Sequence, residues 1–150
     1  MERHSGVPTG VHVLLLRAGC VLMMRRAGTG FFDGLFSLPG GHLEPGERLG
    51  DTAVREMGEE LNIGLRTEDL RVVGVVHRRS DTNRIDFFMA TERWSGEPEI
   101  AEPDKCDCLK WCAPNDLPED TVAYAREALE RVAGQVAEPW VFEHGWPEQG

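Results

Sequence analysis

Glu56, Glu59 and Glu60 fall within five consecutive positions of this 150-residue chain. On a helix, residues three and four apart share a face, so Glu56 sits beside both of the others and three carboxylates project from one patch. Like charges so placed cost a bare helix about 0.2–0.5 kcal/mol per pair. A hard divalent cation turns that repulsion into binding, because magnesium takes oxygen ligands and keeps positions open for substrate phosphates. The plainer reading of the same residues is a solvated acidic face.

The opposite face of the same segment carries Ala53, Val54, Met57 and Leu61, an apolar stripe suited to a core. Asp51 or Thr52 is positioned to cap the helix start. Gly58 lies inside the helix at a cost of about 1 kcal/mol relative to alanine. Either something approaches closely there or the helix is imperfect.

Upstream runs Leu38-Pro39-Gly40-Gly41-His42-Leu43-Glu44-Pro45-Gly46-Glu47. The paired glycines permit a turn and a close approach to a ligand, and Pro45-Gly46 marks a second turn. Glu47 then precedes the helix and can fold back towards its acidic face. Together with Arg55, the pattern is Gly41, five residues, Glu47, seven residues, then Arg-Glu-Met-x-Glu-Glu-x-Asn-Ile ending at Ile63. This resembles the signature of the Nudix hydrolases, G-x5-E-x7-R-E-U-x-E-E-x-G-U, where U is a bulky aliphatic residue. Asn62 stands where the family has glycine. Asparagine also tolerates the left-handed conformation of a helix C-terminus, so the helix end can survive.

The resemblance implies an α+β domain with the Nudix fold, a mixed curved β-sheet sandwiched between α-helices. It implies magnesium-dependent hydrolysis of a nucleoside diphosphate linked to a further group X, with manganese as a substitute metal. The metal ligands it assigns are Glu56, Glu59, Glu60 and the Gly41 carbonyl, with Glu47 either binding metal or bracing the loop. Glu56 or Glu59 is the general base, and Arg55 holds Glu56 and Glu47 in place through charge-assisted hydrogen bonds.

Residues outside the signature bear on X. Arg25-Arg26 and the stretch Glu92-Arg93-Trp94-Ser95-Gly96-Glu97-Pro98 are similar to mutator-type nucleoside triphosphate pyrophosphohydrolases. By that resemblance Arg26 lies near the phosphates. Its alternative is a solvated strand end. Glu102, four residues past the proline, is a rival base, a ligand through water, or only a loop carboxylate, with Glu99 and Asp104 close by. Asp120 is a candidate contact to the nucleobase or a helix cap. The favoured substrate is a nucleoside triphosphate, deoxy or oxidised forms included, cleaved to monophosphate and pyrophosphate. ADP-ribose or a nucleoside diphosphate sugar is second, and a non-catalytic nucleotide-binding module is a reading of another class.

Composition bounds these readings. An apolar fraction of 41% and a charged fraction of 28% fit a soluble globular chain of one domain. The N-terminus lacks the apolar centre of a signal peptide, no apolar run is long enough to span a membrane, and a cytoplasmic protein is expected. With 26 acidic against 16 basic residues the net charge is −10. Such a surface repels polyanions, so nucleic acid is not an expected partner. Family resemblance leaves a homodimer open. Of the four cysteines, Cys20, Cys106, Cys108 and Cys112, the run Cys106-x-Cys108-x3-Cys112 invites a zinc reading, although structural zinc sites prefer two such pairs with four ligands and buried thiols are the favoured reading. In a strand the last three fall on one side by parity, as buried thiols.

The elements that must position these groups follow from pattern. Val11–Leu16 and Cys20–Arg26 are expected strands joined by a short glycine-containing turn. A helix is expected over about Leu49–Leu61. Leu70–Val76, Ile85–Thr91 and Cys108–Cys112 are expected strands, with a helix from Thr121 to Ala133. Residues 1–8 are expected to be a flexible N-terminus. Residues 137–150 are expected to form an aromatic tail, whose default role is packing.

Overall fold

In the computed structural model, which describes residues 6–147, β1 (Thr9–Arg17) is the strand that ties the molecule together. The elements that follow are β2 (Cys20–Arg26), β3 (Phe36–Ser37), β4 (Gly40–His42), α1 (Leu49–Leu61), β5 (Arg71–Arg79), β6 (Asn83–Thr91), β7 (Cys106–Cys112), α2 (Ala123–Ala133) and β8 (Trp140–His144). β1 pairs antiparallel with β4 and parallel with β6, and its last residues turn back antiparallel into β2. β2 in turn holds β3 and β7, both antiparallel. On the other side β6 pairs antiparallel with β5, and β5 pairs parallel with β8. The sheet is therefore mixed.

Strand parity explains why the apolar runs are continuous. Val11, Val13 and Leu15 face α1, where they meet Ala53, Met57 and Leu61. Leu14 faces the opposite side, with Phe88, Tyr124, Ala128 and Leu129. β2 divides in the same way, Leu22 and Met24 towards α1 and Val21 and Met23 towards α2. A strand covered on both faces has no position left for alternation. The two helices thus sandwich the mixed sheet, as expected.

Several local expectations are corrected. Gly40 and Gly41 are a short strand, not a turn: Gly40 pairs with His12 and Gly41 with Val11. The residue at the N-cap of α1 is Arg48, whose N–H donates to the Asp51 carboxylate at 2.9 Å, while the Thr52 hydroxyl donates to Glu47 at 2.9 Å. Gly58 faces open space with no atom near an added Cβ, so the helix is simply imperfect there. The second helix begins at Ala123, because the Phe36 N–H donates to the Asp120 carbonyl and the Val122 N–H to the Phe36 carbonyl. Those two bonds hold residues 120–122 against β3.

The cysteine parity fails for a physical reason. Cys106 pairs with Arg26 and Cys108 with Arg25, so Asp107 is an extra residue at a bulge. Cys106 lies on the α1 side and Cys112 on the α2 side, both buried and free. The aromatic tail is also more than a tail. Trp140–His144 is a strand on β5, and Trp140 and Phe142 are 5% and 8% exposed. Residues 1–5 and 148–150 lie outside the described part. Of the expected flexible start, Pro8 is held through its carbonyl by the Ile85 N–H.

Candidate active site

Asn62 sets where the acidic helix stops. Its φ of 55° and ψ of 41° are left-handed, and the Ile63 N–H behind it reaches the Met57 carbonyl at 3.4 Å. Its side chain donates to Glu99 at 2.8 Å, which keeps Glu99 at the helix end and apart from the other carboxylates. At the other end the Pro45-Gly46 turn brings Glu47 back onto the first turns of α1.

Arg55 organises the carboxylates. Its Nε and Nη2 donate to the two oxygens of Glu47 at 2.8 and 3.0 Å, its Nη1 donates to Glu56 at 2.7 Å, and Nη2 also reaches the His42 carbonyl at 3.1 Å. Glu59 lies 3.6 Å from Nη1 and is half-exposed. Glu47 accepts two further bonds, from the Glu44 N–H and the Thr52 hydroxyl. The Arg55 hydrogen bond, opposed by burial and helped by Glu44 and Thr52, holds the Glu47 carboxyl at about 2, below its ordinary 4.5. Glu47 is thus tied to Arg55, Thr52 and the Glu44 backbone, and it is not among the residues that line the cleft.

Glu56, Glu59 and Glu60 line a cleft of about 690 Å³, along with Gly41 and Glu102. Glu60 accepts the Gly40 N–H at 3.3 Å. Burial pushes the Glu60 carboxyl well above its ordinary range, and the hydrogen bond and charge of Glu56 and the charge of Glu102 push it the same way. A divalent cation is the natural counter-charge for carboxylates crowded in this way. A Cβ added to Gly41 would meet the Glu56 carboxylate, so the glycine lets that side chain lie against the backbone as it does. These all-oxygen donors fit a hard cation. Among the described residues, as the side chains stand, no three acidic, histidine or cysteine groups close around one point.

Among the carboxylates near residue 102, Glu102 is the one at the cleft, with the Lys105 ammonium 3.5 Å away. Arg26 lines the cleft and donates through Nε to the Phe31 carbonyl at 2.8 Å. Asp120 is not brought there: it is exposed, outside the lining, and its carbonyl serves β3.

Sequence reasoning missed the part of the lining formed by His12, Arg78, Asp86 and Tyr124. His12 pairs with Asp86 at 2.9 Å and stacks on Phe88, and Arg78 donates to the other Asp86 oxygen at 3.0 Å. The signal was present as isolated polar residues inside apolar strands, His12 in VHVLLL and Asp86 in IDFFMAT, because a buried polar group needs a partner.

A sequence profile of the NUDIX domain matches residues 6–132. The chain belongs to the Nudix family. It is 30% identical over 118 residues to the NAD-capped RNA hydrolase NudC of Pseudomonas putida, an alignment covering 79% of this chain and 41% of that protein. This Nudix domain thus spans less than half the length of that curated relative. The MutT NUDIX hydrolase of Burkholderia pseudomallei superposes with a TM-score of 0.78 at 29% identity, covering 85% of this chain and 99% of that one. An ADP-ribose pyrophosphatase of Streptococcus suis, 17% identical, shares the fold with a TM-score of 0.61 over 93% of this chain and all of that one. The Nudix family generally uses divalent metal ions and acts on nucleoside diphosphates linked to X. Among the described residues no helix is long and apolar enough to cross a membrane.

Proposed function

We propose that this Nudix enzyme hydrolyses a nucleoside triphosphate to the monophosphate and pyrophosphate. The observation that carries the reading is the lining of one continuous cleft. Glutamates 56, 59, 60 and 102, the cations Arg26 and Lys105, and the group formed by His12, Asp86, Phe32 and Tyr124 all line it. Spaced cations suit a polyphosphate, since guanidinium and ammonium groups bind phosphate oxygens by charge-assisted hydrogen bonds. The similarity to a MutT hydrolase supports the same reading.

Magnesium, or manganese in its place, would be held by Glu56, Glu59, Glu60 and the Gly41 carbonyl. It would supply charge neutralisation along the diphosphate and activation of the attacking water. The chain's own residues do the rest. Arg55 fixes Glu56 through the 2.7 Å bond and keeps its orientation independent of substrate. Glu59 is the carboxylate least engaged by other groups, and it takes the proton of the attacking water. The water oxygen bonds to phosphorus in line with the departing bridging oxygen, which leaves with the other product. Arg26 steadies the phosphates. Glu102, paired with Lys105, sets the field at the cleft floor and is the rival proton acceptor.

A panel of nucleoside triphosphates and ADP-ribose, with magnesium and coupled phosphate release, tests this. Triphosphates are expected to yield pyrophosphate. Brisk turnover of ADP-ribose with none of any triphosphate reverses the assignment.

A further inference from the structure

Arg78 lies in β5 and is 6% exposed, yet only part of its guanidinium is satisfied. Its Nε donates to Asp86 at 3.0 Å, and its plane lies 4.2 Å from the Tyr124 ring centre. Nη1 and Nη2 have no hydrogen-bond partner among the described residues, are not sealed from solvent, and belong to a residue that lines the cleft. Such donors, open to the cleft and held in place by the Asp86 bond, are free to meet an acceptor on a ligand.

The neighbours define that acceptor. Asp86 balances the guanidinium charge, and its other oxygen is held by His12 at 2.9 Å. A charge already neutralised has little pull on a phosphate, and Arg26, which makes no ion pair among the described residues, suits that purpose better. An uncharged group fits better. Two terminal nitrogens in one plane match two adjacent acceptors in one plane. Among nucleobase edges, guanine presents O6 and N7 side by side, whereas adenine presents an acceptor beside a donor. The Phe32 and Tyr124 rings border the same wall and give the base an apolar surface.

We infer that Arg78 is a specificity-determining residue of this cleft, its Nη1 and Nη2 reading the O6/N7 edge of a guanine base. The inference rests on the nucleotide reading of the site but not on which bond is cut. It makes unmodified guanine the preferred base. Oxidation at C8 places a hydrogen on N7 and removes one of the two acceptors.

The test is calorimetric titration of the full chain and of Arg78→Lys with four monophosphates: GMP, 7-deaza-GMP, AMP and CMP. GMP is expected to bind tightest, and 7-deaza-GMP to lose roughly tenfold or more, the scale of a bidentate base contact. Arg78→Lys is expected to lose that preference while AMP and CMP change less than twofold. Equal binding of GMP and 7-deaza-GMP overturns the inference, as does uniform weakening of all four in the variant, tighter binding of CMP, or no binding of any of them. If Arg78→Lys fails to fold, the wild-type comparison with 7-deaza-GMP still decides. Binding and turnover separate the two readings. Discrimination for GMP without triphosphate hydrolysis sinks the proposed reaction and keeps Arg78. Hydrolysis indifferent to the base does the reverse.

Discussion

Glu59 and Asp86 are both carboxylates of one cleft, and their neighbours give them opposite duties. Among the described residues the ion-pair partner of Glu59 is Arg55, at 3.6 Å, which on the proposed mechanism leaves it free to accept a proton. Glu59→Gln keeps the shape and removes the basicity. Its kcat is expected to fall about 10²–10⁴-fold, with the melting temperature unchanged; an unaltered rate in steady-state assays removes Glu59 from the chemistry. Asp86 is held on all sides. Burial alone would raise its carboxyl, but the hydrogen bond and charge of His12 and those of Arg78 prevail and lower it from 3.8 to about 2. A depressed carboxyl stabilises the fold above its unfolded value and loses that effect as pH falls through the folded one. Asp86 is therefore expected to contribute roughly 2 kcal/mol above pH ~4, lost between pH ~4 and ~2. Thermal melts across that window should show this loss in the wild type, and a correspondingly shallower dependence in Asp86→Asn. Parallel curves for the two proteins contradict the assignment.

At the level of elements, legibility tracked how local the determining physics was. α1 was readable to its ends because its apolar stripe, its acidic face and the left-handed Asn62 all lie within the segment. β2 was readable for the same reason, as a short apolar run closed by two arginines. The Asp107 bulge was not, because it is decided by how β7 meets β2, which the one strand's sequence does not state. β8 escaped because Trp-Val-Phe-Glu-His is too short to separate from an irregular aromatic stretch. What makes it a strand is a partner 66 residues earlier, Gly74 opposite Trp140. Gly74 is that contact's other half: a Cβ there would run into the Trp140 ring. Gly74→Ala is expected to cost about 1–3 kcal/mol by overpacking, visible as a lower denaturation midpoint with an unchanged slope. A midpoint equal to the wild type would mean that the indole has room to shift.

For the whole molecule, the signature announced the glutamate-lined part of the cleft, whereas the part holding Arg78 and Asp86 exists only once β1, β5 and β6 lie side by side. A contiguous motif can encode a helix and its loop. It cannot encode a pocket whose walls come from residues 12, 78, 86 and 124. The same distribution governs stability. β8 closes the sheet beyond β5 and puts Trp140 and Phe142 into the core that α2 also covers. Deleting residues 137–150 removes both rings, each worth about 1.5–3 kcal/mol when buried, and strips the outer hydrogen-bonding edge of β5. Against a total of about 5–15 kcal/mol for a typical domain, that loss is a large share. The truncated chain is expected to melt more than about 10 °C lower and to aggregate through the exposed strand, although every glutamate of α1 is intact. Calorimetry and light scattering on the two forms decide it. A truncated protein that melts with the wild type would mean that β8 decorates the sheet and that the core is complete without it.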